Sequence, residues 1–325
     1  MLSRVADNLY WMSRYLERAE HTARLIDVNL ALDLERSPEA RGQYWVRVLQ
    51  SLQTAPPADG IDAYKVTRHL TFDQSNPASV VACILAAREN ARQVREQISS
   101  EMWEQINRFY LTVRGTTIDA IWRRQPHEFF RSVKEAIHFF QGLTDSTLGH
   151  AEGWQFIQAG RFLERGNAIA TLLGAYYERS ERQPAGEADD RVADQTAQYL
   201  EWVGLLKSCT AFEAYCRVYT ADVTPDRITE FLLLDPVFPH SVRFSIDGVQ
   251  DALSAITEAT GRRANERANR LAGRLQATLK YGNIEEIMAE SLASFLTNVE
   301  QQCVRIHDAL YETYISYPIE HALVA

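Results

Sequence analysis

The chain has 325 residues, 46% of them apolar, enough to build one large domain or two ordinary ones and too many for a disordered chain. Its 43 acidic residues against 34 basic ones leave a net charge of −9. That balance argues against nucleic acid as the principal partner, because neutralising phosphates needs a basic footprint.

The first eleven residues carry Arg4 and Asp7 where a secretory signal needs an apolar run, and no long uninterrupted apolar segment occurs anywhere. A cytoplasmic protein without a membrane span is expected. Leu9, Met12, Leu16, Ala19, Ala23 and Ile26 recur at steps of three and four, the stripe of a core-facing helix. Pro38 is expected to close this helix, and a second helix is predicted over 44–53, followed by a turn at 54–60. Asn76-Pro77 reads as an N-cap with proline at the first helical position. Helical pattern follows to about Ser99, restarts at Ser100 and runs with breaks to His150. A long helix is predicted from Ala151 to about Arg179, then an exposed loop from Ser180 to Asp190, which holds no large apolar residue. Further helices are predicted over 194–221, 224–233, 239–260, 262–281 and 283–316, with Asn283 and Glu286 at capping-box spacing. Strand-like alternation is nowhere sustained, so the fold class is all-α.

The chain also repeats itself. Arg14-Tyr-Leu-Glu-Arg18 matches Arg161-Phe-Leu-Glu-Arg165, and the segment beginning at Trp45 matches the one beginning at Trp202. Pro77-x-Ser79-Val80 matches Pro239-x-Ser241-Val242, and Ile137-His138 continues the series at Ile306-His307. Ordered matches with slowly growing offsets point to an internal duplication. Two pseudo-symmetric halves, 1–150 and 151–325, are expected to meet in one multi-helix bundle, with the two Glu-Arg helices packed on each other about a common axis.

Chemistry concentrates in those two helices. Arg14, Glu17, Arg18 and His21 fall at i, i+3, i+4 and i+7, one polar stripe on an otherwise apolar helix. The second copy supplies Arg161, Glu164 and Arg165, with Ala168 in place of the histidine. A charge embedded in an apolar helix needs a partner. A glutamate between two arginines leaves guanidinium donors over, and these can grip a carboxylate or phosphate bidentately. Three readings stay open: an internal salt-bridge network, a site for an anionic ligand or partner, and a stand-alone enzyme using Glu17 or Glu164 as general base. Exposure to a cleft separates the first two, and arginines would weaken either glutamate as a base.

Glu135-Ala-Ile-His138 has the E-x-x-H spacing of di-iron bundles, but those sites need two such motifs. Its counterpart reads Val304-Arg-Ile-His307, without the carboxylate, so no metal is expected there. The four cysteines, Cys83, Cys209, Cys216 and Cys303, form no Cys-x-x-Cys pair and read as reduced, buried thiols. Arg263, Arg267, Arg270 and Arg274 make a basic stripe, either a solvated face or a dock for an acidic partner surface. The run Arg88, Arg92, Arg95 is similar but diluted by Glu89 and Glu96. No phosphate-cradling glycine loop and no nucleophile elbow occur, and no cofactor is expected.

The segments Arg14–Arg24, Ala87–Arg92, Ser100–Trp103 and Phe231–Arg243 together resemble the bacterial Alpha-E family, a helical family of unknown function named for its Glu-Arg motif. The resemblance runs from Met1 to about Tyr317, and Glu17-Arg18 and Glu164-Arg165 match the naming motif. Members of the family are encoded beside, or fused to, a circularly permuted ATP-grasp ligase, often near a transglutaminase-like protein. The resemblance therefore implies a helical partner in a system that makes or modifies peptides through amide bonds, any ATP chemistry residing in the ligase.

Overall fold

The computed structural model describes residues 1–34, 38–182, 191–220, 222–261 and 267–316, and these are helical with no strand among them. In chain order the helices are α1 (Ser3–Asp33), α2 (Pro38–Ser51), α3 (Ala63–Phe72), α4 (Val80–Gln93), α5 (Ser100–Arg114), α6 (Ile118–Arg123) and α7 (Pro126–Thr147). There follow α8 (Glu152–Arg182), α9 (Arg191–Ser208), α10 (Phe212–Tyr219), α11 (Pro225–Leu234), α12 (Val242–Thr260), α13 (Arg267–Lys280), α14 (Ile284–Glu290) and α15 (Leu292–Leu310). Among the described residues no helix is long and apolar enough to cross a membrane.

Helices α1 and α8 form the central pair and pack extensively on each other. They run parallel, because partners ascend together: the Met1 amine meets Glu152, Leu9 lies against Gly153, Tyr10 and Ser13 against Gly160, and Glu17 against Arg165. Gly160 sets the approach. A Cβ built there would sit 2.3 Å from Ser13 Oγ and 2.4 Å from the Tyr10 carbonyl oxygen, so only a residue without a side chain lets the backbones close. The six apolar positions read from the sequence of α1 are all buried. So are Asn8, Glu17, Glu20, Arg24 and Asp27 on other sides of the same helix, since α1 is surrounded rather than laid on a surface.

The remaining helices wrap this pair in a recurring order. Helix α4 packs on α1 as α12 packs on α8, and α7 on α1 as α15 on α8. Helix α5 bridges α4 and α7 as α13 bridges α12 and α15, and α6 touches α3 and α7 as α14 touches α11 and α15. Helix α2 reaches α8 while α9 reaches α1, so each crosses to the opposite central helix. Arg47 on α2 donates to Glu201 on α9 at 3.1 Å with its guanidinium 3.8 Å from the Tyr176 ring centroid. One cluster of buried apolar residues runs from Val5 to Tyr314 through all of these layers. Gly149 lies in the short link between α7 and α8.

Several boundaries differ from the sequence expectation for local reasons. Pro38 opens α2 instead of closing α1, as a residue with no N–H can at a helix start. Ser79, not Asn76, caps α4, its hydroxyl accepting from the Ala82 N–H, while Asn76 Oδ1 accepts from the Ala78 N–H. Helix α3 was not expected, and Asp62 caps it through the Lys65 N–H. Helix α8 continues to Arg182, so Ser180–Arg182 are helical, and 183–190 of the expected loop lie outside the described residues. The helix expected over 194–221 is broken, with Thr210 in the left-handed region at φ 52°. Asn283 does cap α14, accepting from Glu285 and Glu286 N–H groups.

Candidate functional site

The parallel pairing of α1 and α8 carries each Glu-Arg motif onto the other, and the partners cross. Arg14 and Arg18, one turn apart on α1, direct their Nε atoms to the two oxygens of Glu164 on α8, at 2.7 and 2.6 Å. In the other direction Arg165 grips Glu17 bidentately, Nε to Oε1 at 2.5 Å and Nη2 to Oε2 at 3.0 Å. Gln141 on α7 adds a donor to Glu17 at 3.3 Å. Arg165 also donates to the Pro239 carbonyl at 3.2 Å, tying down the turn before α12. Both carboxylates are buried, Glu17 to 3% exposure and Glu164 to 8%. Burial alone would push the Glu164 carboxyl up, but the Arg14 and Arg18 guanidiniums outweigh it and hold it at about 2.

The two sides are not equivalent. Beside Glu164, Arg14 extends the network to Tyr10 Oη at 3.3 Å and His307 Nδ1 at 3.2 Å, and Tyr10 Oη lies 2.9 Å from the same nitrogen. A guanidinium is a donor only, so Nδ1 accepts and the imidazole is neutral. Burial and then the Arg14 charge pull His307 down to about 4. Beside Glu17, the residue matching Arg14 is Arg161, and it pairs with no carboxylate among the described residues. Its guanidinium lies 4.7 Å from the Phe162 ring centroid, and its Nε is buried without a hydrogen-bond partner. Burial and the neighbouring Arg165 charge lower its pKa below the ordinary value.

The structure thus joins Arg14, Glu17, Arg18, Glu164 and Arg165 directly and leaves Arg161 and His21 outside those pairs. His21 Nε2 is buried with no partner, and burial depresses the imidazole. It stands next to a second buried pair that sequence reasoning missed, Glu20 with Arg24, where Arg24 Nε is also without a partner. His138 Nε2 approaches Glu20 Oε1 at 3.5 Å, and Glu135 turns away to Arg131 at 3.7 Å, so the E-x-x-H pair does not converge. No group of three metal-ligating residues is found among the described residues. The repeated Arg-x-Leu-Glu-Arg was the sequence signal for the central contact, and Gly153 and Gly160 on α8 are the small residues that let α1 approach.

The basic stripe is divided. Arg267 pairs with Glu312 at 2.6 Å in the open, Arg270 and Arg274 are exposed on α13, and Arg263 lies outside the described residues. Cys83, Cys209 and Cys303 are buried free thiols and Cys216 is half-buried.

Three uncharacterized mycobacterial proteins, one from Mycobacterium bovis and two from strains of Mycobacterium tuberculosis, are similar to the chain at 24% identity over 351 residues. The matches cover 97% of this chain and 37% of each relative, so the chain spans little more than a third of their length. No solved structure matches it. The Alpha-E family, described as a predicted alpha-helical domain with a conserved ER motif, matches residues 1–315. With α1 and α8 each built around that Glu-Arg pair, the chain belongs to the Alpha-E family.

Proposed function

We propose that this chain is the helical partner of an ATP-grasp-type amide-bond ligase in a cytoplasmic peptide-modification system, and that its Glu-Arg network holds an anionic amino-acid or peptide group. The observation that carries the reading is Arg161. In a network where Arg14, Arg18 and Arg165 are each matched to a carboxylate, Arg161 has none among the described residues, and its Nε is buried without a partner there. An unmatched donor is costly, and because Arg161 is half-buried rather than sealed, a carboxylate arriving from solvent could pair with its guanidinium.

The same geometry gives the network a second duty. Glu17, Glu164 and Arg165 are shut from water and pair across the two central helices, which fixes their register as buried polar pairs do in coiled coils. We read residues 1–150 and 151–325 as copies of one unit that together make a single domain, a reading supported by the recurring packing order. General-base catalysis by the glutamates is disfavoured. Glu164 sits at about 2, and Glu17 is held on both oxygens by Arg165. Arg267, Arg270 and Arg274 offer the face on which the ligase would dock, with a transglutaminase-like protein as a further partner.

The test is co-purification with the products of neighbouring genes and with an ATP-grasp ligase, followed by mass spectrometry of products formed with ATP. The reading expects a mass increase on an amino acid or peptide that requires both proteins. A ligase equally active alone, with no complex formed, would contradict it.

A further inference from the structure

The arginine run along α4 and the 3-10 turn after it, Arg95–Gln97, looks diluted in the sequence, because Glu89 and Glu96 alternate with Arg88, Arg92 and Arg95. Folding sorts these charges. Glu89 takes Arg92 at 2.6 and 2.9 Å and Gln93 at 2.9 Å, all within one helix. Arg88 and Arg95 turn instead to α5. The Arg95 guanidinium lies 5.4 Å from the Trp103 ring centroid, and Arg88 lies 5.6 Å from Trp103 and 4.7 Å from Tyr110. Arg114, at the end of α5, lies 5.9 Å from the other side of this array at Tyr110. Cations and rings therefore alternate across two helices in the order Arg95, Trp103, Arg88, Tyr110, Arg114.

We propose that this cation–aromatic ladder, on α4, the turn that follows it and α5, is a docking surface for an extended acidic segment of a partner protein. None of the three arginines has a carboxylate partner among the described residues, although the chain carries nine more acids than bases. Arg95 and Arg114 are exposed, and Arg88 is half-buried with its Nε donating to Asn107 at 2.8 Å. A guanidinium resting on a ring keeps its in-plane donors free while its side chain is already ordered, which lowers the entropy lost on gripping a carboxylate. From Trp103 to Arg114 the helix rises roughly 16 Å, at about 1.5 Å per residue. About five residues of extended chain cover that length, so carboxylates on alternate residues would face the arginines in turn. Charge decides against a nucleic acid here. Glu96, Glu101 and Glu104 flank the ladder and are exposed, so a segment whose carboxylates alternate with neutral residues meets less repulsion than a continuous phosphate backbone. This surface does not involve the Glu-Arg network, and the inference stands whether or not the ligase reading does.

The test uses the full chain and three fluorescein-labelled probes. They are the peptide Gly-Glu-Ala-Glu-Ala-Glu-Ala, the same peptide with glutamine for each glutamate, and a twelve-residue oligothymidine, all followed by anisotropy at low and moderate salt. The acidic peptide is expected to bind, to weaken with salt, and to lose about tenfold in affinity in the Arg95→Gln/Arg114→Gln variant. Both positions are exposed, so the variant should melt like the parent. The Arg95→Lys/Arg114→Lys variant should fall between them, since it keeps charge and loses the planar fork. The glutamine peptide should not bind. Binding of the acidic peptide that is absent in the parent, or equal in parent and glutamine variant, overturns the proposal. So does tighter binding of the oligonucleotide, or a concentration-dependent dimer that the glutamine variant abolishes, which would make a second copy the occupant.

Discussion

Replacing Arg165 with glutamine strands Glu17. The carboxylate is 3% exposed and receives both Arg165 bonds, so the variant leaves it only Gln141 at 3.3 Å. Removing one partner of a buried pair costs about 3–5 kcal/mol. Loss of the bond to the Pro239 carbonyl adds about 1 kcal/mol. At roughly 2 °C per kcal/mol for a chain of this size, the melting temperature should fall by about 8–12 °C. Arg18→Gln provides the contrast. Glu164 keeps Arg14 at 2.7 Å, and the Arg18 side chain is already 26% exposed, so about 1 kcal/mol is expected. The double variant Glu17→Gln/Arg165→Gln carries no buried charge and should recover most of the loss, giving a coupling of about 3 kcal/mol in a double-mutant cycle. Urea titrations of the parent, Glu17→Gln, Arg165→Gln, their double variant and Arg18→Gln measure it. If Arg165→Gln costs no more than Arg18→Gln, or the double variant is no better than the single, the crossed pairs do not hold the helices together.

Other outcomes follow from the same geometry. His307 should titrate near pH 4 by NMR, and an ordinary value near 6.5 would show that its Nδ1 does not accept from Arg14 and Tyr10. Because the unfolded histidine takes up a proton around 6.5 and the folded one only near 4, this group removes stability as pH falls between those values. Glu164, held at about 2, acts lower: its contribution is complete above the unfolded value near 4.5 and is lost as pH falls towards 2. Gly160→Ala should destabilise by about 1–3 kcal/mol or more, since the new methyl meets backbone at 2.4 Å, whereas Gly153→Ala meets only a leucine methyl at 3.1 Å. Equal melting of the two variants would refute the close approach at Gly160. Protein reconstituted with iron, manganese or zinc should hold no stoichiometric metal, and binding lost on His138→Ala would reverse that.

Fold class was legible because helical periodicity and scarce Gly and Pro are local properties. The pairing of α1 with α8 was legible too, through the repeated Arg-x-Leu-Glu-Arg. What the repeat could not tell was which arginine meets which glutamate. Arg14 and Arg161 each lie three residues before their own glutamate, within reach on one helix face, yet the parallel approach set by Gly160 pairs Arg14, Arg18 and Arg165 across the helices instead. The asymmetry was partly visible, since Ala168 replaces His21 and Val304 replaces Glu135, but the isolation of Arg161 depends on side-chain geometry. The Glu20–Arg24 pair escaped notice because it sits among alanines and reads as an ordinary i, i+4 surface pair. Caps were misplaced where proline and serine competed for the same turn, as at Asn76–Ser79.

The central claim is that Arg161 serves a ligand while Arg165 serves the fold, and a ligation assay reconstituted with the proposed ATP-grasp partner tests it on Arg161→Gln. Because Arg161 holds no carboxylate in the free protein, the variant should melt within about 1 kcal/mol of the parent and still form the complex, yet lose ATP-dependent product. Full product formation by that stable variant would contradict the account.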